Sequence, residues 1–180
     1  MGVRVKDGVV LGFEKLIASK MLVEGTCKRL LTVDTHVGVA VSGMLADGRQ
    51  LVNRARDEAS SYREFYGEAI PGKVLAERLA GFVHAYTMYW SVRPFGSSVL
   101  VAAKDADGTS LWVIEPSGLT YNYLGAAIGK GKQAAKVIFA FRSSQHSQCK
   151  IICNLFHSNL ASFLCLDTKL REILCFARLS

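Results

Sequence analysis

The sequence predicts an α+β fold of sheets covered by helices, on three observations. Short apolar runs bounded by turn residues open the chain, two helical apolar stripes follow one another in the middle, and short runs then return. Strands grouped on either side of a helix pair do not make the alternating order of a wound parallel sheet.

Each element follows from its own residues. Lys6-Asp7-Gly8 has turn chemistry and Val9 to Phe13 is an apolar run of strand length, so the N-terminus reads as a hairpin. Leu30 to Val33 and Val37 to Val41 form a second strand pair. In the latter, Val37, Val39 and Val41 alternate with Gly38, Ala40 and Ser42. Small side chains at every other position call for close packing on that face, by a second sheet or a helix.

From Asp47 the period lengthens. Leu51, Ala55, Ala59, Tyr62 and Tyr66 fall at helical spacing, with Asp47 placed to cap and Gly67 to stop. After Ile70-Pro71-Gly72, the residues Leu75, Leu79, Phe82, Tyr86 and Tyr89 repeat the pattern. This second helix must finish before Pro94, which forces Arg93 out of helical geometry. A three-stranded meander follows: Ser98 to Ala103, Ser110 to Ile114 and Leu119 to Leu124, with turns at Asp105-Ala106-Asp107-Gly108 and Pro116-Ser117-Gly118. Gly125 to Lys136 reads as the start of a third helix. From Val137 to the end no amphipathic pattern is sustained, and the chain divides into a domain over 1–136 and a tail over 137–180.

Composition narrows the function classes. Half of the 180 residues are hydrophobic and 21% are charged, which suits a packed domain. The net charge of +7 is spread along the chain, with no basic stripe to suggest nucleic acid. Four of the five cysteines (Cys149, Cys153, Cys165, Cys175) lie in the tail, and an odd count without a signal segment points to a reducing compartment. The longest charge-free stretch, Ile151 to Leu166, is shorter than the roughly 20 apolar residues of a membrane span. The expectation is a soluble intracellular protein.

Candidate chemistry is sparse. Gly129-Lys130-Gly131-Lys132 has neither the spacing nor the hydroxyl of a phosphate loop and reads as a helix-entry turn. His146, Cys149, Cys153 and His157 would share one helix face, but a helix rising about 1.5 Å per residue spreads them too far for one tetrahedral zinc. His36 and His84 read as packed or solvent-edge histidines. Ser117 lacks a nucleophile frame and reads as a turn serine. Tyr86, Tyr89, Trp90 and Phe95 read as core. No catalytic, metal-binding or cofactor-binding residue is assigned.

Five segments together carry a resemblance: Lys6 to Lys15 (KDGVVLGFEK), Asp34 to Leu51 (DTHVGVAVSGMLADGRQL), Arg93-Pro94-Phe95-Gly96, Leu111 to Gly118 (LWVIEPSG) and Ala127 to Lys136 (AIGKGKQAAK). Over residues 2–136 the chain resembles the α-type subunits of the 20S proteasome. The resemblance implies a four-layer αββα sandwich of the N-terminal nucleophile hydrolase type, here incomplete at both ends. Active β-type relatives attack with an N-terminal threonine, supported by an aspartate and a lysine. Glu14 falls where that aspartate would be and Lys28 near the lysine, while the first strand begins Met1-Gly2-Val3 without a threonine. The implied role is a non-catalytic structural subunit of the α ring, acting in ubiquitin-dependent degradation in cytoplasm and nucleus. Its partners would be neighbouring α and β subunits, with neither nucleic acid nor membrane among them.

The resemblance also implies a pocket for the C-terminal tails of activators or regulatory particles. Arg29 stands at the position of a lysine that meets the tail carboxylate, and Gly43-Met44 at that of a Gly-Leu dipeptide. Two rival readings accompany this one: a truncated isoform or gene-model fragment that does not assemble, and an active hydrolase. The tail, which matches nothing in the family pattern, is expected not to pack as a helical layer.

Overall fold

The computed structural model describes residues 1–5, 8–13, 21, 23, 26 and 28–136, together with the backbone of 162–167 and 173–177. Among the described residues the main elements lie in the order β1 (Gly2–Arg4), β2 (Gly8–Phe13), β3 (Leu30–Asp34), β4 (Val37–Gly43), α1 (Leu45–Tyr66), α2 (Gly72–Met88), β5 (Ser97–Asp105), β6 (Gly108–Ile114), β7 (Thr120–Asn122), β8 (Gly125–Ala126), β9 (Ser162–Asp167) and β10 (Ile173–Ala177). They form two five-stranded antiparallel sheets, ordered β3-β4-β5-β6-β7 and β10-β9-β2-β1-β8.

The helix-bearing sheet is read directly from side-chain alternation. Val37, Val39 and Val41 of β4, with Val99, Val101 and Ala103 of β5, point into one core shared with Leu51, Ala55, Leu75 and Leu79 of the helices. Ala40, Leu100 and Ala102 point the other way and meet Val9 and Leu11 of β2. The close packing expected on the small face is therefore sheet on sheet. The described residues supply three layers of the expected sandwich, helices, sheet and sheet, and the fold class is the α+β one predicted.

Helix α1 stops where expected, at Gly67, whose left-handed φ of 73° lets its N–H reach the Arg63 carbonyl at 2.9 Å. Its start differs from the expectation. The N-cap is Met44, without a side-chain cap, and Asp47 sits in the first turn with its carboxylate engaged elsewhere. The glycine-rich stretch expected to open a third helix first forms β8, which pairs with β1, and turns helical only over 132–136. Beyond it, β9 pairs antiparallel with β2, and β10 with β9. The described part of the tail thus extends a sheet.

Phe95 is buried and packs at a tilt against Tyr86, 4.6 Å between ring centroids, but Trp90 is 98% exposed and Tyr89 is also largely exposed. The expected aromatic core is correct for Phe95 and the partly buried Tyr86 only. Helix α2 ends at Met88, and the turn after it carries Tyr89 and Trp90 away from the sheet. Among the described residues no helix is long and apolar enough to cross a membrane.

Candidate functional site

Three segments converge where β4 ends and α1 begins. Arg29 precedes β3, and its backbone carbonyl accepts the Val41 N–H at 2.9 Å, which fixes its register beside β4. Its guanidinium Nη1 donates to the Gly43 carbonyl at 3.4 Å. Gly43 closes β4 at φ 111°, in the region that favours glycine, and a Cβ there would lie 2.4 Å from the Gly96 carbonyl oxygen. Met44 donates its N–H to that same oxygen at 3.0 Å and leaves its side chain 57% exposed. The predicted trio is thus brought together: a half-exposed cation, a glycine turn and an apolar wall.

The loop before β5 buttresses this trio, which sequence reasoning did not anticipate. Arg93 donates from Nη1 and Nη2 to the two carboxylate oxygens of Asp47, at 2.7 and 2.9 Å, and the Gly96 N–H donates to Asp47 Oδ2 at 2.9 Å. These donors, Arg93 first, hold the Asp47 carboxyl down at about 2. Gly96 therefore receives Met44 through its carbonyl and holds Asp47 through its N–H. The Arg93-Pro94-Phe95-Gly96 segment was visible as a motif, but its partner lies 46 residues away.

Beside the trio a cavity of about 170 Å³ opens where β4 ends and β5 begins, with Ser42, Gly43, Gly96, Ser97, Pro116 and Gly129 among its walls. Ser97 is the one buried polar residue of the described core, and its hydroxyl has no hydrogen-bond partner among the described residues.

The remaining candidates fall apart from this site. Lys28 is exposed, and Glu14 lies outside the described residues. His36 is partly buried, with Nε2 at 2.7 Å from the Ile70 carbonyl and Nδ1 at 3.7 Å from Asp34 Oδ2. His84 Nδ1 is 3.2 Å from the Ser117 carbonyl at the surface. The Ser117 hydroxyl accepts the Leu119 N–H, as a turn serine does. Gly129, at φ 99°, accepts the Lys132 N–H at the helix entry, in keeping with the turn reading of the Gly-Lys cluster. His146, Cys149, Cys153 and His157 lie outside the described residues, among which no cluster of metal-ligand side chains occurs.

A family model described as "Proteasome subunit" matches residues 1–150. A "Proteasome subunit alpha type-3" of Acanthamoeba castellanii is 61% identical over 136 residues, covering 76% of this chain and 54% of the relative. A protein of the same name from Arabidopsis thaliana is 52% identical over 150 residues, 83% of this chain and 60% of the relative. A "Probable proteasome subunit alpha type-7" of Schizosaccharomyces pombe (strain 972 / ATCC 24843) is 46% identical over 136 residues, 76% of this chain and 54% of the relative. The chain spans little more than half the length of these curated relatives. With a family match over most of its residues, on a fold of two packed antiparallel sheets and a helix pair, the chain belongs to the proteasome subunit family.

Proposed function

We propose that this chain is a non-catalytic structural subunit of the α ring of the 20S proteasome core particle, acting in ubiquitin-dependent protein degradation in cytoplasm and nucleus. The observation that carries the reading is the 61% identity, over 136 residues, to a protein named as an α type-3 subunit. Its partners are neighbouring α and β subunits, and residues 1–136 form the domain that meets them. Arg29, Gly43 and Met44 form the pocket for activator tails. Their convergence supports this role, because a guanidinium beside an apolar wall suits a peptide that ends in a carboxylate.

Assembly is tested by native-gel migration of the tagged chain with 20S particles. Co-migration is expected, and recovery only as monomer or aggregate overturns the assembly claim. The purified chain is expected not to cleave a fluorogenic peptide. Turnover abolished by a threonine-directed inhibitor would reverse the non-catalytic assignment.

A further inference from the structure

A second cavity, of about 280 Å³, opens between the start of α1, the end of α2 and the loop before β5, and shares no lining residue with the one beside Gly43. It has room for one large side chain and lies at the lower edge of the roughly 300–1,000 Å³ of small-molecule sites. The buried Phe95 and partly buried Tyr86 line it, and both pack on Phe82, at 5.8 and 5.1 Å between ring centroids. The Arg54 guanidinium lies 5.1 Å from the centre of that third ring. Val92 walls the cavity and donates its N–H to the Tyr89 carbonyl at 3.4 Å, closing a turn that holds Trp90 98% exposed, with Met88 and Tyr89 exposed before it. Tryptophan, tyrosine and arginine are the residues on which protein interfaces depend most. Charge says what kind of partner fits. Asp47 and Glu58 are only 12% and 17% exposed and already hold Arg93, Arg54 and Arg78, whose side chains are 63%, 44% and 40% exposed. What reaches the crevice from solvent meets cations over covered carboxylates. A second copy would bring the same cations and a net charge of +7, so it is not the occupant.

We propose that the crevice between the start of α1 and the end of α2 docks an internal segment of an acidic partner protein, whose apolar side chain enters the cavity beside Val92 and whose flanking carboxylates meet Arg54 and Arg93. Trp90, which stands in water in the free chain, supplies apolar area that docking removes from water. The inference goes beyond the α-ring reading. It needs neither a terminal carboxylate nor Arg29, and every group it uses lies in α1, α2 and the turn and loop that follow α2.

The test uses the full chain and short peptides acetylated and amidated at their ends, so that no terminal carboxylate is present: a leucine flanked by glutamates, the same leucine flanked by lysines, and a serine flanked by glutamates. By fluorescence polarisation of labelled peptides, the first is expected to bind about tenfold or more tightly than either of the others. Unlabelled, it should also shift tryptophan emission to the blue, since the chain's second tryptophan, Trp112, is already partly buried against the helix core. Trp90→Ser should weaken binding about fivefold or more, as loss of an interface anchor does, and abolish the shift. Arg54→Gln should narrow the preference for glutamate over lysine about threefold, the size of one exposed ion pair. Phe65→Ser, at another exposed apolar residue about 27 Å along α1 from Asp47, should change nothing. Arg29→Gln should likewise change nothing, which separates this site from the pocket for tails. No binding, indifference to the flanking charge, or affinity unchanged by Trp90→Ser overturns the proposal. So does a blue shift that grows with protein concentration in the absence of peptide, which makes a second copy the occupant, or binding of oligo-dT as tight as that of the first peptide, which makes any polyanion sufficient. Each of these outcomes leaves the α-ring reading, tested on native gels, untouched.

Discussion

Two carboxylates hold the two helices, and they do so in opposite electrostatic states. At the candidate site, Asp47 accepts the Gly96 N–H at 2.9 Å; at the far corner, Asp105 accepts the N–H of Gly72, the first residue of α2, at 2.7 Å. The hydrogen bond is the same, but the titration is not. Asp47 is also gripped by both terminal nitrogens of Arg93, and its carboxyl is held at about 2. Asp105 is more deeply buried and its Oδ1 has no partner among the described residues; burial pushes its carboxyl up, against the pull of the Gly72 N–H and of His36. A backbone donor alone does not decide how a buried carboxylate titrates; the surroundings of the second oxygen do. The Asp47 end is therefore a clamp on the loop that lines the site, while the Asp105 end carries an unfavourable charge.

The largest effect expected comes from the backbone at the clamped end. Gly43→Ala would place a methyl 2.4 Å from the Gly96 oxygen on a left-handed backbone, and should cost about 2–4 kcal/mol in urea unfolding. Gly67→Ala shares the left-handed geometry but has nothing within 4 Å among the described residues, and should cost only about 1–2 kcal/mol. Equal costs would mean that the approach of Gly43 to Gly96 contributes nothing.

Next come the paired variants Asp47→Asn and Asp105→Asn, whose effects at neutral pH should differ in sign. The first loses the charge that Arg93 and Gly96 grip, and destabilises. The second keeps an acceptor for Gly72 and removes a desolvated charge, and should leave the protein as stable or more stable by up to about 1 kcal/mol. Their pH profiles separate them further. The Asp47 carboxyl is lowered, so its contribution is complete above the ordinary 3.8 and is lost as pH falls toward 2. The Asp105 carboxyl is raised, so its unfavourable contribution is present above the folded value and is lifted as pH falls through it. Urea midpoints of both variants across the acid range would show the two differences; a shared sign would break the contrast.

What the sequence made legible follows from period. The alternation of Val37, Val39 and Val41 with Gly38 and Ala40 separates the two faces of β4 but leaves open what covers the small one; the structure puts the helices on the valine face and β2 on the other. A two-residue strand such as Gly125–Ala126 has no period to read, so its glycine and alanines read as a helix start. Asp47 before an apolar stripe looks like a cap whether it bonds its own helix or an arginine 46 residues on. The same limit applied at the site. Arg29, Gly43 and Met44 were found by position in a known pattern, but Ser97 and the Asp47–Arg93 clamp acquire meaning only once β4 and β5 lie side by side in register, Gly43 against Ser97.

The smallest effect expected sharpens the contrast, because a third carboxylate has a counter-charge without a clamp. Glu115 Oε1 accepts from Lys132 Nζ at 3.3 Å, and both side chains are 43% exposed. One long bond in water, between side chains free to separate, contributes at most about 0.5 kcal/mol. Asp47, by comparison, receives three donors, one of them a backbone N–H that salt does not compete away. Glu115→Gln should therefore lower the urea midpoint barely measurably, and raising the salt toward about 1 M should close even that gap, since screening then acts over about 3 Å. The deficit of Asp47→Asn should persist under the same salt. If Glu115→Gln costs as much as Asp47→Asn, counter-charge alone explains both carboxylates, and the two-pronged Arg93 grip with Gly96 adds nothing to how the site is held.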